Sequence, residues 1–265
     1  MKASALKDSL RKGRIVIGTW VFEFNSPGIA RLLASTGVDF VVYDMEHSGF
    51  GIESIRSLIS QSRPLNLAAL VRPPASDCHL IAPLLDAGAN GVIVPKVESA
   101  DQAAKIIDTC KYYPEGHRGA AFSVAHDDFL PGDIAGKMNA ANDAMVCALL
   151  IETVQGVEKV DEIVAIPGID LIWAGFLDLS ISMGIPGEYD NPRFTQALTR
   201  VLRAGESRGI PVGILAKDVR QSMQYVNLGF RCISYSGDIW LLQETLTQGI
   251  NEIRRGLASG SEKHV

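Results

Sequence analysis

The feature that most constrains this chain is the regular alternation of short apolar runs with amphipathic stretches of helical period. Eight of the runs fit buried strands, with predicted starts at Ile15, Phe40, Ala68, Gly91, Met145, Leu171, Pro211 and Arg231. Nearly continuous apolar runs are typical of parallel strands that are buried on both faces. Eight strand–helix units within 265 residues predict an α/β fold, a (β/α)₈ TIM barrel that forms a single domain over residues 1–265.

A doubly wound open sheet is the alternative, but the first strand–helix turn lacks the G-x-G-x-x-G loop of that fold. One connection is unusually long: residues 112–143 precede the fifth strand and contain several prolines and glycines. Because long loops in compact domains are usually functional, we interpret it as a lid or rim over the active-site face, and partly as a subunit contact. The polar residues 258–265 predict a frayed tail.

The composition argues against several classes of protein. The net charge is −5 and no dense basic cluster is present, which argues against nucleic-acid binding. No apolar run is long enough to span a bilayer, and the first residues lack the apolar region of a secretory signal. The four cysteines are far apart without a C-x-x-C pair, which indicates reduced core thiols. We therefore expect a cytoplasmic protein.

Polar residues cluster at the predicted carboxyl ends of four strands, where barrel enzymes carry their chemistry. Asp44, Glu46 and His47 follow strand 2, Arg72 ends strand 3, Glu152 ends strand 5, and Gly175, Phe176, Leu177 and Asp178 follow strand 6. Each of these residues alone fits an ordinary solvated loop. Together on one rim they predict an active site.

Glu152 and Asp178 follow adjacent strands, so their carboxylates could meet around a hard divalent cation such as Mg²⁺ or Mn²⁺. Two protein ligands leave positions open for water and for the keto and carboxylate oxygens of a 2-oxo acid. Such an open site is catalytic in character. The alternative is a pair of carboxylates that bind lysines on a solvated rim.

Arg72 and His47 are the candidate catalytic cation and base. The planar, permanently charged guanidinium of Arg72 could hold a keto oxygen and stabilise an enolate; its alternative role is a structural salt bridge. His47 directly follows a strand, unlike the other four histidines, and could act as a general base.

With these residues placed, the chain resembles the HpcH/HpaI aldolase family, the metal-dependent (class II) pyruvate aldolases. The motifs that carry the resemblance run from about residue 18 to residue 237. They are Gly18-Thr19-Trp20, Asp44-x-Glu46-His47, Val71-Arg72-Pro73, Leu85-Asp86-Ala87-Gly88, Val94-Pro95, Tyr113-Pro114-Glu115-Gly116-x-Arg118-Gly119, Ile151-Glu152-Thr153, Asp178-Leu179-Ser180 and Met183-Gly184. Each motif is short, but their order and spacing together are specific.

The resemblance implies reversible cleavage of a 4-hydroxy-2-oxo acid to pyruvate and an aldehyde through an enolate, with Mg²⁺, Mn²⁺ or Co²⁺ as cofactor. It implies that Glu152 and Asp178 hold the metal, that Arg72 binds the pyruvyl oxygen, and that the backbone of residues 175–178 receives the substrate carboxylate. His47 would act in acid–base catalysis, with Asp44 and Glu46 supporting its loop.

Asp86 matches an aspartate that the family pairs with its catalytic histidine. It lies near the end of a helix, at the opposite end of the predicted barrel from His47. The pairing therefore requires a neighbouring subunit, and the resemblance implies a homo-oligomer, a hexamer built as a trimer of dimers, with shared active sites.

Three other functions remain open from the sequence. A Schiff-base aldolase would use Lys96 or Lys217. An acyl-CoA ester lyase would use a similar metal site, and a non-catalytic barrel would only bind a metabolite. The residues Phe176-Leu177 depart from the proline and small residue common in the family, which makes the predicted pocket more apolar and leaves the aldehyde undetermined.

Overall fold

The computed structural model describes residues 3–261 and forms a closed barrel of eight parallel strands in sequential order. The strands are β1 Val16–Val21, β2 Phe40–Asp44, β3 Ala68–Arg72, β4 Gly91–Val94, β5 Val146–Ile151, β6 Leu171–Ala174, β7 Val212–Ala216 and β8 Cys232–Gly237. Each begins within one residue of its predicted start. The prediction of a single (β/α)₈ barrel fold is confirmed.

Helices surround the strands and one 3₁₀ turn interrupts a long connection. The helices are α1 Ala3–Arg11, α2 Ile29–Ser35, α3 Ile52–Ser62, α4 Cys78–Asp86, α5 Ala100–Cys110, α6 Ile134–Ala144, α7 Val154–Glu158, α8 Val160–Ile163, α9 Phe176–Ser182, α10 Pro192–Ser207, α11 Val219–Leu228 and α12 Asp238–Ser261; the 3₁₀ turn is Ala125–Asp127. Alternate strand residues pack into an inner core inside the barrel and an outer core beneath the helices.

Helix α1 closes the amino-terminal end of the barrel. Leu6 and Leu10 belong to the inner core. The buried Lys7 lies 2.9 Å from a carboxylate oxygen of Asp170 and donates to the backbone oxygen of Met145 at 2.9 Å. Because this end is filled, ligands have access to the barrel axis from the opposite end, where the strands finish.

The long connection before β5 does not cover the carboxyl ends of the strands, so the expectation of a lid there is wrong. It joins the end of α5 to β5 and therefore lies beside the amino-terminal ends of the strands. Arg63, which follows α3, anchors it through a 2.6 Å ion pair with Asp128 and a hydrogen bond to the backbone of His126. Because these contacts hold the connection beside the amino-terminal ends of the strands, it cannot cover the opposite rim of its own barrel.

Residues 258–261 of the expected frayed tail are helical, because α12 continues to Ser261; residues 262–265 lie outside the described part of the chain. Three of the four free cysteines are buried as expected, and Cys78 is exposed at the start of α4. Among residues 3–261, no helix is both long and apolar enough to cross a membrane.

Candidate active site

Asp44 organises the loop after β2. Its buried carboxylate accepts a 2.6 Å hydrogen bond from Nε of Arg72 and further bonds from the backbone N–H groups of Glu46 and His47. Parallel register pairs Asp44 directly with Arg72, so the ends of β2 and β3 enforce this contact. The guanidinium of Arg72 also lies 4.6 Å above the ring of Trp20. Arg72 is therefore fixed from two sides while its Nη2 atom has no bonding partner among the described residues.

Glu46 lies between three groups that can carry positive charge. Its side-chain oxygens lie 3.3 Å from Nη1 of Arg72, 3.5 Å from Nζ of Lys96 and 3.8 Å from Nε2 of His47. The Oε2 atom is buried and accepts no hydrogen bond within the described structure. Because both oxygens of Asp44 already accept other hydrogen bonds, Glu46 is the carboxylate that faces the imidazole of His47.

Lys96 orients Glu152 through its backbone. The residue adopts a left-handed conformation with φ of +53°, which is uncommon for a side chain of this size. In this conformation its N–H donates to Oε1 of Glu152 at 2.8 Å. Strained backbone of this kind is found where the surrounding structure requires it, often at active sites.

Glu152 is a buried carboxylate that pairs with no cationic side chain in the described residues; its side chain is 2% exposed. Burial raises the pKa of Glu152 to about 7, and the negative charges of Glu46 and Asp178 add to the effect, opposed by the Lys96 N–H and by Arg72. A raised pKa at the open end of a barrel is typical of a functional site, since burial of an isolated charge is otherwise unfavourable.

Gly175 creates the space in which Glu152 lies. A Cβ atom at this position would lie 2.5 Å from Cβ and 2.8 Å from Oε2 of Glu152, so the neighbouring strand end tolerates no side chain there. Gly175 is also the N-cap residue of α9, whose first turn carries the partly exposed Asp178. The two carboxylates therefore come from the ends of neighbouring strands, as the sequence predicts.

Fewer backbone N–H groups are available to bind an anion than the sequence predicts. The N–H of Gly175 donates to the backbone oxygen of Ile151 at 3.0 Å and is not available to a ligand. The N–H groups of Phe176, Leu177 and Asp178, in the first turn of α9, remain as donors. Phe176 packs against Tyr189, and Leu177 is exposed at the rim.

Asp86 does not lie in the mouth of its own barrel. It ends α4 at the amino-terminal face, where its carboxylate lies 2.7 Å from Nη2 of Arg118. The guanidinium of Arg118 is stacked 4.6 Å from the ring of Tyr112. The structure thus groups His47, Arg72, Asp44, Glu152 and Asp178 at one end of the barrel and leaves Asp86 at the other.

Sequence reasoning missed Trp20 and the backbone of Lys96 as parts of the site. Trp20 carried a signal, because it belongs to the Gly18-Thr19-Trp20 motif at the end of β1. From the sequence, Lys96 is a candidate only as a Schiff-base lysine. Its left-handed backbone leaves no mark in the sequence, since it depends on tertiary contacts.

Comparison with known proteins identifies the class. A family model described as HpcH/HpaI aldolase/citrate lyase matches residues 17–244. The hydroxypyruvate/pyruvate aldolase of Paraburkholderia phytofirmans is 32% identical, over 94% of this chain and 97% of that protein. The 2-keto-3-deoxy-L-rhamnonate aldolase of Escherichia coli is 29% identical, over 94% of this chain and 93% of that protein. The crystal structure of an HpcH/HpaI aldolase from Desulfitobacterium hafniense is 32% identical, with a TM-score of 0.90, covering 94% of this chain and 96% of that one.

The fold, the rim residues and these matches define an enzyme of the class II aldolases, which are carbon–carbon lyases. The chain belongs to the HpcH/HpaI aldolase/citrate lyase family.

The raised pKa of Glu152 predicts a pH-dependent stability of the protein without metal. The folded state keeps the Glu152 proton up to a pKa of about 7, whereas the unfolded chain loses it near 4.5. The free energy of unfolding should therefore fall as pH rises through this window, by on the order of 3 kcal/mol from this group. Urea unfolding of EDTA-treated protein at pH 5 and pH 8 measures it. Glu152→Gln should remove that part of the fall, and an unchanged pH dependence in this variant would contradict the assignment.

Proposed function

We propose that this protein is a divalent-metal-dependent aldolase that reversibly cleaves a 4-hydroxy-2-oxo acid to pyruvate and an aldehyde. The observation that supports it most is the buried Glu152 beside Asp178, which has no cationic side chain as partner, at the open end of the barrel. Arg72 and His47 lie on the same rim and supply the polar groups that the cleavage needs.

The residues fit a divalent cation. Among residues 3–261, no group of three histidine, cysteine or acidic side chains is placed to enclose a metal. A cation would therefore be held by Glu152 and Asp178 alone and would remain open to the substrate. Bound Mg²⁺, Mn²⁺ or Co²⁺ would supply Lewis-acid polarisation of the 2-oxo group. Its charge would also relieve the unfavourable burial of the Glu152 carboxylate.

Arg72 is positioned to bind the 2-oxo oxygen of the substrate. Its Nε and Nη1 atoms are held by Asp44 and Glu46, which leaves Nη2 to donate to a ligand. A fixed donor at this point stabilises the negative charge that develops on that oxygen as the enolate forms. The first-turn N–H groups of α9 would bind the substrate carboxylate.

His47 is positioned to accept the proton of the 4-hydroxyl group, with Glu46 facing its ring and stabilising the protonated imidazole. Loss of this proton converts the C4–O bond to a carbonyl and breaks the C3–C4 bond. The electron pair of that bond forms the enolate of pyruvate, which is held at Arg72. Protonation of the enolate at C3 gives pyruvate, and the reverse sequence condenses pyruvate with an aldehyde.

The names of two relatives suggest which nucleophiles and which aldehydes the enzyme could use. Two curated relatives are named for hydroxypyruvate/pyruvate and for 2-keto-3-deoxy-L-rhamnonate. We propose that hydroxypyruvate can replace pyruvate as the nucleophile, since a C3 hydroxyl leaves the contacts of the 2-oxo and carboxylate groups unchanged. The exposed Leu177 and the adjacent Phe176 favour an aldehyde with an apolar portion.

A Schiff-base route has less support. Such a lysine needs an apolar pocket or a cationic neighbour to lose its proton. Lys96 is 62% exposed and lies 3.5 Å from the carboxylate of Glu46, so it does not lie in an apolar pocket. Lys217 is also exposed.

We further propose that the active enzyme is a homo-oligomer, a trimer of dimers, in which Asp86 of one subunit completes the site of another. The carboxylate of Asp86 is held by Arg118 on the face opposite His47 and remains partly exposed. It can contact an imidazole at the open end of a barrel only across a subunit boundary.

Release of pyruvate from a 4-hydroxy-2-oxo acid tests the activity. EDTA should abolish it, and Mg²⁺, Mn²⁺ or Co²⁺ should restore it. Arg72→Lys should lower kcat by about 10²–10³ because a donor to the developing charge is lost. Glu152→Gln should lower it at least as far, while Glu162→Gln, at an exposed position of α8, is the matched control and should stay active. Full turnover after exhaustive EDTA treatment, or trapping by borohydride with pyruvate, would contradict the metal-dependent route.

Mixed oligomers test the shared site. His47→Ala and Asp86→Ala proteins should each lose most activity. After joint dissociation and reassembly of equal amounts, about a quarter of the sites should combine an intact His47 with an intact Asp86 from another chain. Steady-state rates before and after mixing measure this recovery. A fully active Asp86→Ala protein, or no recovery on mixing, would contradict the proposal.

A further inference from the structure

A cavity opens at the carboxyl ends of β6, β7 and β8, next to the candidate active site. Its volume is about 840 Å³. One part of its wall is Phe176, in the first turn of α9, whose N–H groups are the proposed carboxylate site. Another part is Trp240, near the start of α12. The cavity therefore begins where the 2-oxo acid would be held and provides room for the rest of a substrate.

Trp240 also connects this cavity to the residues that hold Arg72. Its ring packs against Phe22 with centroids 5.0 Å apart, and Phe22 stacks on Trp20 at 5.6 Å. The ring of Trp20 in turn lies 4.6 Å below the guanidinium of Arg72. A row of aromatic rings thus joins the wall of the cavity to the proposed binding site of the 2-oxo group, at the same end of the barrel.

Ser236 has an unusual backbone conformation in the wall of this cavity. It lies at the end of β8, is 2% exposed, and has a left-handed backbone with φ of +53°. Residues other than glycine seldom adopt this conformation, and strained backbone of this kind is frequent at functional sites. Thr19 helps to hold the strand end, because its hydroxyl donates to the backbone oxygen of Tyr235 at 3.0 Å. The side chain of Ser236 is therefore held at a fixed point of the wall.

The hydroxyl group of Ser236 is available to a ligand. The residue lines the cavity, and its Oγ atom has no hydrogen-bonding partner within residues 3–261. A serine hydroxyl can donate one hydrogen bond and accept two. A ligand that displaces water from this group must replace the lost hydrogen bonds. Ser236 therefore selects ligands that carry a matching polar group at this point.

The other residues of the wall favour a substrate tail that is neutral and partly apolar. Apolar surface comes from three side chains, Leu215, Phe176 and Trp240. The charged residues of the wall are one base and two acids, Lys217, Asp218 and Glu244. Because the acids outnumber the base, a second negative charge at the far end of the substrate is disfavoured.

We propose that this cavity binds the aldehyde half of the substrate, and that the Ser236 hydroxyl forms a hydrogen bond with a hydroxyl group on that half. The acceptor is then a neutral 2-hydroxyaldehyde with a short apolar portion, and the substrate that is cleaved carries hydroxyl groups on C4 and C5. This inference rests on the proposed aldolase function and adds the chemical class of the aldehyde. Ser236 determines specificity, while the bond-breaking steps at Arg72 and His47 stay the same.

Condensation of pyruvate with a matched pair of aldehydes, in the presence of Mn²⁺, tests the inference. Propanal and 2-hydroxypropanal share one carbon skeleton and differ by the hydroxyl group. The wild-type protein should prefer 2-hydroxypropanal, tested as each enantiomer, by about tenfold in kcat/KM, which is the contribution of one hydrogen bond. Ser236→Gly should raise KM for this aldehyde by about the same factor and leave the kinetics with propanal unchanged. Since glycine readily adopts a positive φ, this variant should fold.

Two further variants separate the hydroxyl group from the backbone. Ser236→Ala keeps a Cβ atom and should lose the preference in the same way as Ser236→Gly. The matched control is Ser35→Gly, which removes an exposed hydroxyl at the end of α2 and should keep the wild-type preference. Far-ultraviolet circular dichroism checks that each variant is folded.

The outcomes distinguish this inference from the proposed function. Condensation at equal kcat/KM with both aldehydes, or a preference that survives in Ser236→Gly and Ser236→Ala, would overturn the role of Ser236 and leave the aldolase activity standing. Faster condensation with the anionic 4-oxobutanoate than with 2-hydroxypropanal would overturn the neutral acceptor. No condensation of pyruvate with any of these aldehydes would contradict the proposed function, and the inference would fail with it.

Discussion

The structure depends on one electrostatic constraint, a carboxylate buried at the mouth of the barrel without a cationic side chain beside it. Two other buried acids at this end are compensated: Asp44 by Arg72, and Asp238 by four backbone N–H groups. Glu152 receives one N–H and faces two further negative charges. Removing a carboxylate from water without compensation is unfavourable, so Glu152 either holds a proton or, as we propose, binds a cation.

Local features of the barrel backbone form this site. Helix α1 fills the other end of the barrel, and the left-handed backbone of Lys96 directs its N–H at Glu152. Gly175 leaves the space that the carboxylate occupies. Parallel register places Asp44 beside Arg72, which fixes the guanidinium and leaves its Nη2 atom without a partner among residues 3–261. The chemistry thus follows from strand ends that the barrel closure brings together.

The sequence predicted the barrel and most of the rim, because buried parallel strands are continuous apolar runs and their ends are marked by polar residues such as Asp44 and Glu152. It did not predict that Arg118 holds Asp86, or that the connection before β5 lies on the amino-terminal side. Those features depend on contacts between residues that are distant in the chain. The polar composition of residues 258–265 predicted a frayed tail, whereas α12 continues to Ser261. The helix extends this far because the apolar residues from Leu246 to Leu257 keep a helical spacing.

The most direct test of the central claim is calorimetric titration of metal-free protein with Mn²⁺ near pH 6, repeated in buffers with different ionisation enthalpies. At this pH a carboxyl group with a pKa of about 7 holds its proton, and a cation that binds to it must displace that proton. The account predicts release of roughly one proton per Mn²⁺ bound by the wild-type protein, and weak binding without this release by Glu152→Gln. Equal affinity in the two proteins, or wild-type binding without proton release, would contradict it.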